Sequence, residues 1–184
     1  MTLLIEMPRK KKVSVDDLIE KLYRIEGKAE IVNGEIVEFM STGDKPGTAA
    51  ANLLVSLKLF QRKTKFGIAY GDNVGFLVDL PNRKSFSPDA SFYTNERTGM
   101  KFLQGSPILA VEVRSENDYG KKAEEAIKQK RHDYFAAGTK VVWDVDLLSE
   151  DVIKSYNSDN PDTPQIFKRG EIANAETALP DWSF

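Results

Sequence analysis

The segment 108–113 constrains the fold more than any other part of the sequence. It is a nearly continuous apolar run between Pro107 and a polar cluster, which is typical of a strand buried on both faces of a sheet. A helical pattern follows over about 118–136 and ends before Gly138, and a second β-branched run covers 139–145. Strand, helix and strand in this order predict a crossover connection between two parallel strands.

The remaining patterns predict two further helices and several short strands around this unit. A capping sequence at Ser14 predicts a first helix to about residue 25, and the apolar repeat of Leu53, Leu57 and Phe60 predicts a second over about 48–63. Asn33-Gly34, between two short alternating runs, predicts a β-hairpin. Short strands are expected at 68–70, 75–80, 89–93, 151–156 and 165–168. The predicted fold class is α/β (α+β), a mixed sheet flanked by helices.

Composition excludes several classes of function. With 26 basic and 28 acidic side chains among 184 residues, the net charge is −2, and no linker divides the chain, so we expect a single domain over 1–184. The absence of cysteine excludes a thiol nucleophile and Cys-ligated metals, and a lone His132 excludes a multi-His site. No apolar run approaches a membrane span and no signal-peptide pattern is present, so we expect a cytoplasmic protein without membrane contact.

Glu112 lies inside the apolar run, where an unpaired buried carboxylate would cost several kcal/mol. Strand alternation places Glu112 and Arg114 on the same face, and Asp89 converges with Glu112 if their strands are neighbours. Two carboxylates that meet beside a cation suit Mg²⁺ or Mn²⁺, which prefer oxygen ligands. The alternative is a surface ion pair and an ordinary Pro-Asp turn, and spacing alone leaves both open.

Two other charged residues occupy unexpected places. On the third helix Lys130 stands in the same stripe as Ile127 and Tyr134, which the pattern assigns to the buried side. A lysine there either extends to solvent or meets an anion. Glu30, before the first hairpin strand, is either another site carboxylate or an exposed residue at a strand start.

Several short motifs follow one another in a fixed order. They are EIVNGE at 30–35, Pro88-Asp89, LAVEVRS at 109–115, Lys130 with YFAAG at 134–138, VWDVD at 142–146 and a closing Leu179-Pro180. In this order and spacing they resemble the Uma2 (DUF820) family of restriction-endonuclease-like proteins in the PD-(D/E)XK nuclease superfamily. The resemblance covers nearly the whole chain, from Val15 onward.

The resemblance implies a restriction-endonuclease-like core with an N-terminal helix and hairpin. It also implies metal-dependent hydrolysis of phosphodiester bonds, in DNA. Asp89 and Glu112, with the Val113 carbonyl, would bind Mg²⁺ (or Mn²⁺).

The remaining site residues have auxiliary roles in this scheme. Lys130, and secondarily Arg114, would position the attacking water and stabilise negative charge. Glu30 matches the family's acid before the first hairpin.

A catalytically silent module of the same fold, which binds nucleic acid or a protein partner, is the alternative. Arg114 replaces the usual lysine, and the stretch 45–48 lacks a histidine that family members often carry. In either case we expect phosphate contacts from a flexible basic N-terminus over 1–12 and from Lys58, Arg62, Lys63 and Lys65. The acidic stretch 144–162 should face away from DNA. A homodimer is an option, because cutting both strands of a duplex takes two sites.

Overall fold

The computed structural model describes residues 13–184, so the basic cluster at 9–12 and the expected flexible N-terminus lie outside the described range. Three helices and eleven strands are present in the described part. In chain order they are α1 (Val15–Leu22), β1 (Ala29–Val32), β2 (Glu35–Glu38), α2 (Asp44–Thr64), β3 (Ile68–Gly71), β4 (Phe76–Leu77), β5 (Ser85–Phe86), β6 (Ala90–Tyr93), β7 (Leu103–Gln104), β8 (Leu109–Val113), α3 (Lys121–Ala136), β9 (Val141–Val145), β10 (Ile153–Asn157) and β11 (Asn160–Phe167).

A six-stranded mixed sheet with the order β11-β10-β9-β8-β6-β3 forms the centre of the fold. β8 and β9 pair in parallel with Glu112 opposite Asp144, and α3 connects them, which confirms the predicted crossover. The other pairs of this sheet are antiparallel. Because β6 is the other neighbour of β8, the segment before β6 runs beside the carboxyl end of β8.

The two faces of the central sheet differ in chemistry. On one face α2 buries Leu53 and Leu57 against the sheet residues Phe92 and Val111, within the larger apolar core cluster of the protein. On the other face lie α3 and a small sheet with the order β5-β4-β7. Tyr134 of α3 stacks on Phe86 of β5 with ring centroids 3.9 Å apart.

Two strand predictions have the wrong length. The strand expected at 75–80 extends only over β4, because its partners β5 and β7 are themselves two residues long. The last strand begins earlier than expected, at Asn160, since β11 is an exposed edge strand whose polar residues hide the alternation. Pro161 and Pro164 are tolerated there because an edge strand needs fewer backbone donors.

The predicted hairpin is present and rests on the small sheet. Asn33 and Gly34 both have positive φ, 51° and 77°, as a two-residue turn between right-twisted strands requires. Two backbone amides anchor it: Ile31 donates to the Ser85 hydroxyl at 2.7 Å, and Asn33 donates to the Asn82 carbonyl at 2.6 Å. The hairpin thereby carries Glu30 towards α3.

Within residues 13–184, no helix has the length and apolar character needed to cross a bilayer.

The buried face of α2 gives a test of the packing. Leu57→Ala should lower the free energy of unfolding by about 3 kcal/mol, because its side chain is fully buried in the apolar layer. Leu59→Ala, two positions along the same helix and exposed, should change it by less than about 0.5 kcal/mol. Urea denaturation followed by circular dichroism measures both. Equal losses would contradict the observed orientation of α2.

Candidate active site

Asp89 and Glu112 meet where the start of β6 passes the end of β8. The Asp89 amide donates to the Val111 carbonyl at 3.0 Å, which aligns the two backbones. The Asp89 carboxylate then accepts a hydrogen bond from the Val113 amide at 2.7 Å through Oδ2. These bonds fix Asp89 beside the strand that carries Glu112. This is the convergence that the sequence predicts if the two strands are neighbours.

Glu112 points towards α3, and both of its carboxylate oxygens have partners there. Oε1 accepts from the Tyr134 hydroxyl at 2.6 Å, and Oε2 contacts the Lys130 ammonium at 2.9 Å. The side chain stays 24% exposed, more than its strand neighbours. The Glu112 carboxylate is therefore held by side chains of α3 and remains partly accessible to solvent.

Lys130 bridges two carboxylates. Its ammonium lies 2.9 Å from Glu112 Oε2 and 2.9 Å from Oε1 of Glu30. Glu30 is only 1% exposed, so it is not the exposed residue at a strand start that was the alternative. Of the two options for a lysine in the buried stripe, extension to solvent or contact with an anion, Lys130 takes the second. The structure thus brings together Asp89, Glu112, Lys130 and Glu30.

Arg83 is a member of this cluster that the sequence did not suggest. Its guanidinium forms an ion pair with Glu30 Oε2 and a second one, at 2.8 Å, with Asp133 Oδ2. Asn82 and Gln129 donate to the other Asp133 oxygen at 3.0 and 2.9 Å. Arg83 lies in the irregular segment between β4 and β5, where no periodicity reports burial, and its partners are distant in sequence.

Lys28 is the second missed residue. Its ammonium pairs with Asp89 Oδ1 and lies 2.9 Å from Asp72 Oδ1. The ring of Phe39 covers two ammonium groups of the site, with its centroid 5.9 Å from Lys28 Nζ and 5.5 Å from Lys130 Nζ. Lys28 precedes β1 in a segment without periodicity, so no sequence pattern indicates that it belongs to the site.

Glu30 and Glu112 have opposite electrostatic environments. Burial raises the pKa of Glu112, and the nearby Asp89 and Glu30 carboxylates add to that effect against the attraction of Lys130. For Glu30, burial opposes ionisation, but Lys130 and Arg83 together hold its pKa below the ordinary value. The pKa of Lys130 is raised despite its burial, because both glutamates favour the ammonium. Lys130 is therefore a cation at neutral pH.

Arg114 belongs to a neighbouring ion-pair cluster. Within the described residues, the hydrogen bonds of its guanidinium go to Asp144, at 2.7 and 2.6 Å, and to Glu124 of α3. Asp144 and Asp146, at the start of the acidic stretch 144–162, are both buried, so their charges are compensated inside the protein. Asp144 is neutralised by Arg114, and Asp146 accepts from the Tyr119 hydroxyl at 2.9 Å.

The donor chemistry of this cluster fits a hard divalent ion. Across residues 13–184, no three Asp, Glu or His side chains are close enough to hold a metal ion together. Asp89 and Glu112 offer two carboxylates, and the backbone of Val113 lies at Asp89, where its carbonyl is a third candidate ligand. One or two carboxylates with remaining water ligands is the usual set for Mg²⁺.

Comparison with known proteins identifies the family of the chain and a solved structure with a similar fold. The family model described as "Putative restriction endonuclease" matches residues 16–184. The crystal structure of "a putative nuclease belonging to DUF820" from Anabaena variabilis ATCC 29413 is similar with a TM-score of 0.68 and 13% identity, covering 88% of this chain and 90% of that chain. This likeness confirms the predicted fold class. No curated protein sequence matches the chain.

The buried Glu30 predicts a pH-dependent contribution to stability. Because folding lowers its pKa, ionised Glu30 stabilises the fold above the ordinary value of 4.5, and this stabilisation is lost as the pH falls through the folded-state pKa. Glu30→Gln should therefore cost about 3 kcal/mol at pH 7, because Arg83 and Lys130 lose a buried counter-charge. The difference from wild type should shrink below pH 4.5.

Glu35→Gln, on the exposed strand of the same hairpin, is the matched control and should be neutral at every pH. Urea denaturation across pH 3–8, roughly the range over which carboxylates titrate, measures both variants. A cost for Glu30→Gln that stays constant with pH would show that Glu30 contributes packing and no charge.

Proposed function

This chain belongs to the Uma2 family, and on that premise we propose that it is a divalent-metal-dependent endonuclease that hydrolyses phosphodiester bonds in DNA. The family predicted from the ordered motifs is thereby confirmed. The observation that supports the proposed activity is the meeting of Asp89 and Glu112 beside a lysine that two carboxylates hold in place.

Asp89, Glu112 and the Val113 carbonyl would hold Mg²⁺ or Mn²⁺. A divalent ion there supplies Lewis-acid stabilisation of phosphate charge and makes water more acidic. The chain itself provides the orientation: the Val113 amide fixes Asp89, and the Tyr134 hydroxyl fixes one oxygen of Glu112.

Lys130 acts as the orienting cation for the substrate. Its two carboxylate contacts restrain an otherwise flexible side chain, and the ammonium then stabilises negative charge that develops on the phosphate. Glu30 is a positioning residue in this scheme, because it is too buried to meet substrate and instead holds Lys130. Arg83 holds Glu30 in turn.

We assign Arg114 a supporting role. Its guanidinium group donates hydrogen bonds to Asp144 on β9 and to Glu124 in the first turn of α3, so it attaches the start of the helix to the sheet. The helix carries Lys130 two turns later, and its placement depends on that attachment. We propose this role in place of the secondary one, positioning water and stabilising negative charge, that the resemblance implied for Arg114.

A basic surface beside the edge strand β3 supports binding of a polyanion. Partial burial lowers the pKa of Lys58, and the nearby positive charges of Arg62 and Arg97 lower it further. Its ammonium covers the Tyr70 ring at 5.8 Å, and Asp72, two residues further along, contacts Lys28 of the site. A phosphate backbone that follows β3 would thus pass from these cations to the carboxylates. A homodimer stays a prediction.

A catalytically silent module is the second candidate. It is favoured by one observation: all four carboxylate oxygens of Asp89 and Glu112 already accept hydrogen bonds from within the protein. Such a module would bind nucleic acid through the basic surface without needing a metal ion.

Metal binding and cleavage distinguish the two candidates. Asp89→Asn and Glu112→Gln should fold normally, weaken Mn²⁺ binding by at least about 100-fold in calorimetry and abolish plasmid cleavage, because each removes a charged ligand. Glu116→Gln, exposed just beyond β8, is the matched control and should behave as wild type. Cleavage retained in either ligand variant would contradict the site, and no Mn²⁺ binding by wild type would favour the silent module.

The basic surface can be tested separately by its salt dependence. Lys58→Gln combined with Arg62→Gln should lower the slope of log affinity against log salt by about 2 for a DNA duplex, since two phosphate contacts are lost. Fluorescence anisotropy measures the slope. The same double change at Lys168 and Arg169, just beyond the opposite sheet edge, should leave it unchanged. Equal effects of both double variants would mean that binding follows net charge alone.

A further inference from the structure

Lys28 is a buried cation of the site to which the chemistry above gives no role. Its side chain is 14% exposed, and its ammonium pairs with Asp89 and with Asp72. It also lies close enough to Glu112 for the two charges to stabilise each other. A lysine that faces both proposed metal-ligand acids occupies the position where a divalent cation would be attracted.

The two oxygens of Asp89 are not equivalent. Oδ2 is committed to the Val113 amide at 2.7 Å, a bond that fixes Asp89 to β8. Oδ1 accepts from Lys28. Oδ1 is therefore the oxygen that a cation can bind without sharing it with the Val113 amide, and it is the oxygen that Lys28 holds.

Asp72 offers Lys28 a second partner. It follows the end of β3, and its side chain is 44% exposed against 13% for Asp89. Lys28 Nζ is already 2.9 Å from Asp72 Oδ1, and a lysine has a flexible four-carbon stem. The ammonium can leave Asp89 and still keep a carboxylate contact nearer to solvent.

We propose that Lys28 competes with the divalent cation for Asp89 Oδ1 and that Asp72 receives the lysine ammonium when the cation binds. The inference rests on the proposed function, because it concerns the metal site of that function. Lys28 and Asp72 would then set the concentration of divalent ion at which the site fills.

Calorimetric titration with MnCl₂ tests this exchange on four proteins: wild type, Lys28→Met, Asp72→Asn and the double variant. Lys28→Met should bind Mn²⁺ about tenfold more tightly, because the competitor is gone. Asp72→Asn should bind it several-fold more weakly, because Lys28 loses its outer partner. Lys84→Met, which breaks an ion pair with Asp79 away from the cluster, is the control and should leave affinity unchanged.

The double variant separates exchange from simple charge effects. If the charges act independently, the effects of the two substitutions add. If Lys28 moves to Asp72, the effect of Asp72→Asn falls sharply in the Lys28→Met background, because no ammonium is left to be received. Magnesium titration of the protein with ¹³C-labelled lysine should also shift the Lys28 side-chain resonances more than those of Lys84.

Each result decides the inference. Additive effects, or Mn²⁺ binding by wild type that Lys28→Met leaves unchanged or weakens, would overturn the exchange and leave the proposed endonuclease intact. No Mn²⁺ binding by any of the four proteins would overturn both. If Lys28→Met fails to fold, Lys28→Arg keeps the competing charge and should bind Mn²⁺ no more tightly than wild type, whereas tighter binding would contradict competition.

Discussion

The ion pairs of Lys130 join three parts of the structure that are distant in sequence. Glu30 comes from the hairpin, Glu112 from the central strand and Lys130 from the crossover helix. Removing charges from water costs several kcal/mol each, so such a cluster forms only where every charge finds partners. The hairpin supplies the counter-charge that allows a lysine to face the sheet, and the helix in turn covers the buried carboxylate of the hairpin.

The charges alternate from Asp133 through Arg83, Glu30 and Lys130 to Glu112, and their order explains their different titration. Glu30 lies between two cations, so its pKa is lowered despite complete burial. Glu112 stands at the end of the series, where burial raises its pKa and the Asp89 carboxylate adds to that effect. The acid with the least compensated charge is thus also the more exposed of the two, and an added cation would be most stabilising there.

The sequence predicts those features that leave a periodic signal. The crossover and the hairpin follow from apolar spacing and from Asn33-Gly34, and Lys130 stands out because it interrupts a helical apolar stripe. Lys28 and Arg83 lie in irregular segments, and Arg83 meets its partners across 50 and 53 residues, so no local pattern reports them. The burial of Asp144 has a related cause, because a charge count along 144–162 carries no information on strand order or on the ion pair with Arg114.

The two faces of the central sheet differ, one packing an apolar core and the other holding the charged cluster, and this difference explains how a small domain tolerates so many buried charges. β8 alternates Val111 and Val113, which face the apolar layer under α2, with Ala110 and Glu112, which face α3. Hydrophobic burial on the first face provides stability that does not depend on pH or ions. The second face can then hold carboxylates whose mutual repulsion would otherwise open the fold. A substitution at Asp89, at the open end of the cluster, should thus affect ion binding more than folding, whereas one at Glu30 should affect both, because Glu30 is enclosed between hairpin, helix and Arg83.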